Sequence, residues 1–451
     1  MSQLCLNVSR LLNKYTRIYE ERTVRSKELF EKAKLILPAG VTYKIRDFHP
    51  YPPYIIKGIE QKVVDIDGNE YIDYWMGHGA LILGHSNPEI VKIIKLQAEM
   101  GTHFGYEHPL AAKWAESIKR NYPSMELIRF TNSGTEANIY ALRLARAYTG
   151  KKKVVKIQGG WHGSYNGLHV NVHPPFTGKP ESPGIPVEFS EYTITIELNN
   201  INDLREKLRE NKEDIAALIM EPVLGAGGGV PASREFAEEA QRLCDEYNCL
   251  LVFDEVITGF RIGIGGGREY LRVDPDLTVM GKIIGGGLPA GAFGGRSEVM
   301  NLLNHRDIEK HVFQGGTFTG NPLTAAAGIT VINYLERNHS VYDKLGEIHS
   351  YLEREISKIS EEIGLPIYVT GIRGITGIHF TKEKPTNARE VFDYRYCKDL
   401  YRLVNLYMRT KNILYVSESV MHLLPSIYHT FDDAGKLLSS LRSILSESTT
   451  S

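Results

Sequence analysis

Between residues 214 and 261 short apolar runs alternate with a charged, amphipathic stretch: DIAALIMEPV, then REFAEEAQRLCDEY, then CLLVFDEVITGFR. An apolar run too short for a helix reads as a strand buried on both faces. Such strands, separated by helices, build a mostly parallel sheet covered on both sides, so the fold class is α/β. The same rhythm stands upstream, where Leu127 to Phe130 runs through Asn132-Ser133-Gly134-Thr135 into a helix marked by Ala137, Tyr140, Ala141, Leu144 and Ala145. Val154 to Ile157 likewise delivers Gly159-Gly160-Trp161-His162-Gly163 into a loop. Ligands of such sheets gather at the carboxyl edge, so the residues that end these runs carry the functional reading.

Asp254 ends the run Leu250 to Phe253. A carboxylate there suits a metal ligand, the acidic residue of a nucleotide hydrolase, or the partner of a protonated ring nitrogen. The hydrolase reading lacks the G-x-x-x-x-G-K-[ST] loop. Lys282 follows the apolar Leu277, Val279 and Met280 and is succeeded by Gly285, Gly286 and Gly287. A lysine partly desolvated beside glycines can lose its proton and form a Schiff base with an aldehyde, whereas an ordinary lysine at a strand end reaches solvent. A strand entering a helix through Ser133-Gly134-Thr135 offers free N–H groups, two hydroxyls and a helix dipole, which together suit an anion; Ser and Thr are also common N-caps. Gly315, Gly316, Thr317 and Thr319 make a second hydroxyl-rich entry before a helix near Pro322. Trp161, set at a strand end by glycines, suits a platform for a flat ring. His78 and His85 have no third ligand at metal-binding spacing, so packing and loop roles are expected of them and no metal is.

Basic and acidic residues number 53 and 54, a formal net charge of −1, which favours neither nucleic acid nor an anionic membrane. The four cysteines show no C-x-x-C spacing, and there is no long apolar run and no secretory signal, so a cytoplasmic protein is expected. From Val8 to Leu37 the pattern is helical; around Asp67-Gly68 it alternates as in a hairpin or meander. From about Ile332 the composition turns more charged, as for a smaller domain.

The motifs NSGTEA, GGWHG, FDEVITGFR, GKIIGGGLPAGAFGG and GGTFTGNP, in this order and spacing, resemble the class III, fold type I, pyridoxal-phosphate aminotransferases, and among them the glutamate-1-semialdehyde 2,1-aminomutase branch. The similarity runs from about Ser26 to Leu441. It implies pyridoxal 5′-phosphate as cofactor and a large domain with a mostly parallel seven-stranded sheet, residues 76–331. An N-terminal helix and small sheet, residues 1–75, would pack with a small α+β domain, residues 332–451. Lys282 matches the Schiff-base lysine and Asp254 the partner of the pyridine nitrogen. Val256 and Trp161 match the residues on the two ring faces, with His162 beside them. Ser133, Gly134 and Thr135 match the phosphate loop. Thr317 matches the threonine lent across a homodimer interface, and Arg46 the arginine that clamps a substrate carboxylate.

Departures fall on the substrate side. His78 stands where the aminomutase has tryptophan, Ala226 where it has asparagine, Met421 near its active-site glutamate, and Tyr43 and Lys44 replace serine and proline. These departures favour an aminotransferase moving an amino group between an apolar or β-amino acid, or an amine, and a keto acid. The aminomutase and an amino-acid racemase are the alternatives on the same apparatus.

Overall fold

The computed structural model describes residues 2–306, 311–415 and 417–449. The chain divides into two compact units. One comprises Met1–Asn87, Asp343–Pro385 and Asp393–Ser451; the other comprises Pro88–Tyr342 and Thr386–Phe392. Val416 and the terminal Thr450 and Ser451 lie outside the described residues.

The second unit is built on seven strands: β1 (Leu127–Thr131), β2 (Lys153–Ile157), β3 (Thr193–Ile196), β4 (Ile215–Met220), β5 (Leu250–Asp254), β6 (Leu277–Gly281) and β7 (Gly291–Gly295). Their order across the sheet is β1-β7-β6-β5-β4-β2-β3. All neighbours are parallel except β7, which runs antiparallel to both β6 and β1. Every residue of β4, β5 and β6 is buried, as their continuous apolar runs demand of strands covered on both faces. The helix Gly134–Thr149 lays Ala137, Ala141, Leu144 and Ala145 against Val252, Val279 and Phe293. Each Val or Leu fully buried there contributes about 1.5–3 kcal/mol.

The sequence pattern does not announce β7, because Gly-Ala-Phe-Gly-Gly has little strand propensity of its own. Its glycines are required by its neighbours. A Cβ at Gly291 would lie 2.2 Å from the Ser133 carbonyl oxygen, and one at Gly295 2.0 Å from that of Asp276.

In the first unit the helical pattern of the N-terminus resolves into two helices, Ser2–Arg22 and Val24–Ala33, rather than one reaching Leu37. Thr23 separates them, donating its hydroxyl to the Tyr19 carbonyl at 2.6 Å. Such side-chain bonding to the preceding turn competes with helix continuation. Around Asp67-Gly68 the strands Lys62–Asp65 and Glu70–Asp73 pair antiparallel, with Ile55–Ile59 alongside, as the alternation indicates. Tyr15 and Tyr19 join Leu403 and Tyr407 of helix Lys398–Thr410 in this unit's core. Among the described residues no helix is long and apolar enough to cross a membrane.

Candidate active site

Three chain segments converge at the carboxyl edge of the large sheet, and glycines let them meet. Val256, two residues beyond the end of β5, lies between the Gly134 and Gly281 backbones. A Cβ at Gly134 would stand 2.7 Å from Val256 Cγ2, and one at Gly281 3.2 Å from Val256 Cγ1. The end of β5, the end of β6 and the start of helix Gly134–Thr149 are thereby brought into one place. The loop after β2 closes on the same helix start, since Ser164 N–H donates to Thr135 Oγ1 at 3.3 Å and a Cβ at Gly163 would collide with that hydroxyl at 2.1 Å.

Asp254 is buried and surrounded by neutral donors. Its Oδ2 accepts from Asn138 Nδ2 at 2.8 Å and faces His162 Nδ1 at 2.8 Å; its Oδ1 accepts from the Val256 N–H at 3.0 Å. The amide of Asn138 has one permitted orientation, because its other neighbour, the His162 carbonyl at 3.2 Å, is also an acceptor. His162 carries its proton on Nδ1, the nitrogen that faces a carboxylate oxygen able only to accept. Burial lowers its pKa and keeps the ring neutral, against the attraction of Asp254. None of these three donors is a cation, and Oδ1 keeps acceptor capacity beyond the Val256 bond. A buried carboxylate so prepared fits a protonated ring nitrogen.

Lys282 begins the single turn Lys282–Gly285 directly after β6, with φ of 50°. A lysine in the left-handed region costs energy and persists only where its surroundings impose it. Burial pushes its ammonium below the ordinary lysine value, and the negative charge of Asp254 partly restores it. At the start of helix Gly134–Thr149, Ser133 caps the Glu136 N–H through Oγ at 3.2 Å, and Glu136 reaches back to the Asn132 N–H at 3.0 Å. The amides of Gly134 and Thr135 have no partner within the helix and can bind an anion with the dipole behind them. An aldehyde-bearing, phosphorylated pyridine fits this donor set.

Trp161 is partly buried, its ring edge-on to His169 at 5.8 Å and its backbone N–H donating to Glu221 Oε1 at 2.8 Å. Thr317 is exposed just ahead of helix Pro322–Arg337. Of the remaining candidates, Tyr43, Arg46, His78 and Met421 belong to the first unit. Tyr43 stacks on His78 at 6.0 Å, and the exposed Arg46 bonds Thr42 Oγ1 at 2.9 Å. Met421 is fully buried in the core on strand Met421–Leu423.

Sequence reading missed Asn138, Lys156 and Glu221. All three are buried polar residues that gather on this site's loop, and a helix or strand pattern alone gives no sign of that. Burial, with Asp254 nearby, raises Glu221 to about 8.

Residues 46–445 match the family described as aminotransferase class-III. The chain is 42% identical to the glutamate-1-semialdehyde 2,1-aminomutase of Methanosarcina acetivorans over 368 residues, covering 81% of this chain and 86% of the relative. It is 40% identical to the protein of the same name from Persephonella marina over 390 residues, covering 85% and 89%. Among solved structures it matches an omega-transaminase from Sphaerobacter thermophilus with a TM-score of 0.89 at 30% identity, covering 94% of this chain and 98% of that one.

The sequence relatives at 40–42% identity carry the aminomutase name, which corrects the expectation of an aminotransferase acting on an amino acid and a keto acid. That expectation gave single departures too much weight. Met421, one of those departures, is fully buried in the core. The family match spans nearly the whole chain and agrees with the sheet and its edge: the protein belongs to the class III aminotransferases, the pyridoxal-phosphate enzymes of fold type I.

Proposed function

We propose that the protein is a glutamate-1-semialdehyde 2,1-aminomutase, moving the amino group of its substrate from C4 to C5 to give 5-aminolevulinate. The observation that carries this reading is the identity to aminomutases over four fifths of the chain. The cofactor is pyridoxal 5′-phosphate, which when bound supplies an electron sink and a carrier for one amino group.

Asp254 holds a proton on the ring nitrogen. Gly134, Thr135 and the Ser133 and Thr135 hydroxyls bind the phosphate. Val256 and Trp161 bound the two ring faces, and His162 orients Asp254. Lys282, whose ammonium is disfavoured by burial, removes the proton from C4 of the substrate and delivers one to C5. Arg46 binds the substrate carboxylate, and Tyr43 and His78 line that side. Because the amino group that leaves C4 replaces the one delivered to C5, a diamine must be retained between the two halves, and no second substrate enters. The enzyme acts in the cytoplasm as a homodimer in which Thr317 of each protomer reaches the other's phosphate.

The test is to supply cofactor-loaded protein with glutamate-1-semialdehyde alone and identify the products. The expected result is 5-aminolevulinate without release of any keto acid. Turnover that requires an added amino donor or keto acceptor would refute the reading.

A further inference from the structure

Three consecutive residues after β2 are each held by a different buried side chain. The Gly160 carbonyl accepts from Lys156 Nζ at 2.9 Å, the Trp161 N–H donates to Glu221 at 2.8 Å, and the His162 carbonyl accepts from Asn138 at 3.2 Å. Lys156 goes further than its two companions. Its Nζ also donates to the carbonyls of Leu168 at 3.0 Å and Val170 at 2.9 Å, and its side chain is wholly removed from solvent. An ammonium has three donors and no acceptor, so three carbonyls satisfy it completely.

Burial of a cation is costly, and an apolar side chain of similar volume commonly serves stability as well or better. The cost is visible in the ammonium, which burial pushes down to about 7. What the three bonds achieve is placement. The first holds the residue before Trp161. The other two hold the residues on either side of His169, whose ring stands edge-on to Trp161 at 5.8 Å and 80°. Lys156 thus secures Trp161 both through its own backbone and through the ring that abuts it.

We propose that Lys156 is a positioning residue that sets the plane of the Trp161 ring against the cofactor without touching the cofactor itself. This rests on the reading of Trp161 as one face of the cofactor site. A residue that merely stabilised the fold would weaken binding whatever stood at position 161. A residue acting through Trp161 has nothing left to position once the indole is gone.

The experiment is a double-mutant cycle on pyridoxal phosphate affinity, measured by equilibrium dialysis with apo-protein: Lys156→Met, Trp161→Leu and the two together. Each single variant is expected to weaken binding about tenfold, and the double variant to bind within about twofold of Trp161→Leu. If the two factors multiply, or if Trp161→Leu weakens binding and Lys156→Met does not, the role of Lys156 is refuted while Trp161 keeps its own. If Trp161→Leu binds as tightly as the parent, the reading of Trp161 fails, and the role of Lys156 with it. Should Lys156→Met not fold, Lys156→Gln, which keeps an N–H donor on an uncharged chain, takes its place in the cycle. Failure of both to fold would show Lys156 to be needed for the fold itself and would equally overturn the proposal.

Discussion

Replacing Gly328 by alanine tests how closely the helix Pro322–Arg337 must approach the lysine-bearing turn. A Cβ at Gly328 would lie 2.0 Å from the Ile284 carbonyl oxygen and 2.6 Å from Trp114 Nε1. Ile284 belongs to the turn Lys282–Gly285, and its carbonyl accepts the buried Trp114 Nε1–H at 3.0 Å. Opening the Cβ contact from 2.0 Å to even 3.0 Å takes about 1 Å of movement. The same opening would stretch the indole bond beyond hydrogen-bonding range. Overpacking of this kind costs about 1–3 kcal/mol, and a buried donor left without its partner about 1–3 more. The intrinsic preference of a helix for alanine over glycine returns about 1 kcal/mol. The net expectation is a loss near 3 kcal/mol. Gly435, in helix Phe431–Thr449, has nothing within 4 Å of its missing Cβ, so Gly435→Ala should show the propensity gain alone, about 0.5–1 kcal/mol. Urea denaturation followed by far-UV circular dichroism compares the three proteins. If Gly328→Ala proved as stable as the parent, or shifted in the same direction as Gly435→Ala, the close-approach argument would be wrong.

Three further outcomes follow from the same geometry. Asn138→Ala removes one of the neutral donors on Asp254; a bond to a charged group is worth about 1.5–3 kcal/mol, so pyridoxal phosphate affinity should fall about 10- to 100-fold, and unchanged affinity would remove Asn138 from the site. Arg46→Ala should raise KM for glutamate-1-semialdehyde by a similar factor with a smaller change in kcat, whereas an unaltered KM would place the carboxylate clamp elsewhere. His429 is buried, and burial lowers it from the ordinary 6.5 to about 4. Between those values the unfolded chain binds a proton that the folded one refuses, so stability is lost as pH falls through this window, by about 3 kcal/mol in all. Ser426 N–H donates to His429 Nδ1 at 3.0 Å, a bond an asparagine oxygen can accept, so His429→Asn should flatten acid denaturation across pH 6.5 to 4. A slope equal to that of the parent would show that His429 is not its source.

The sequence by itself determined the strands that are buried for their whole length, and therefore the layered sheet. β5 and β6 are legible because nearly every residue in them is apolar, and Asp254 and Lys282 stand out because a charge directly after such a run has to emerge at the sheet edge. The hydroxyl-rich start of helix Gly134–Thr149 was legible for the same reason: capping chemistry is local, and Ser133 and Glu136 perform it within one turn. The tertiary structure alone decided what depends on distant partners. β7 is a strand because β6 and β1 pair with it and approach closely at Gly291 and Gly295, where a Cβ would collide, not because glycine favours strands. Lys156, Glu221 and Asn138 carry the residue types usually found at the surface, and only the fold turns them inward around Gly160, Trp161 and His162. Propensity and periodicity act over a few residues along the chain, while the burial of a polar group is set by elements far apart in sequence. Asn138 and Asp254 are 116 residues apart and 2.8 Å from one another.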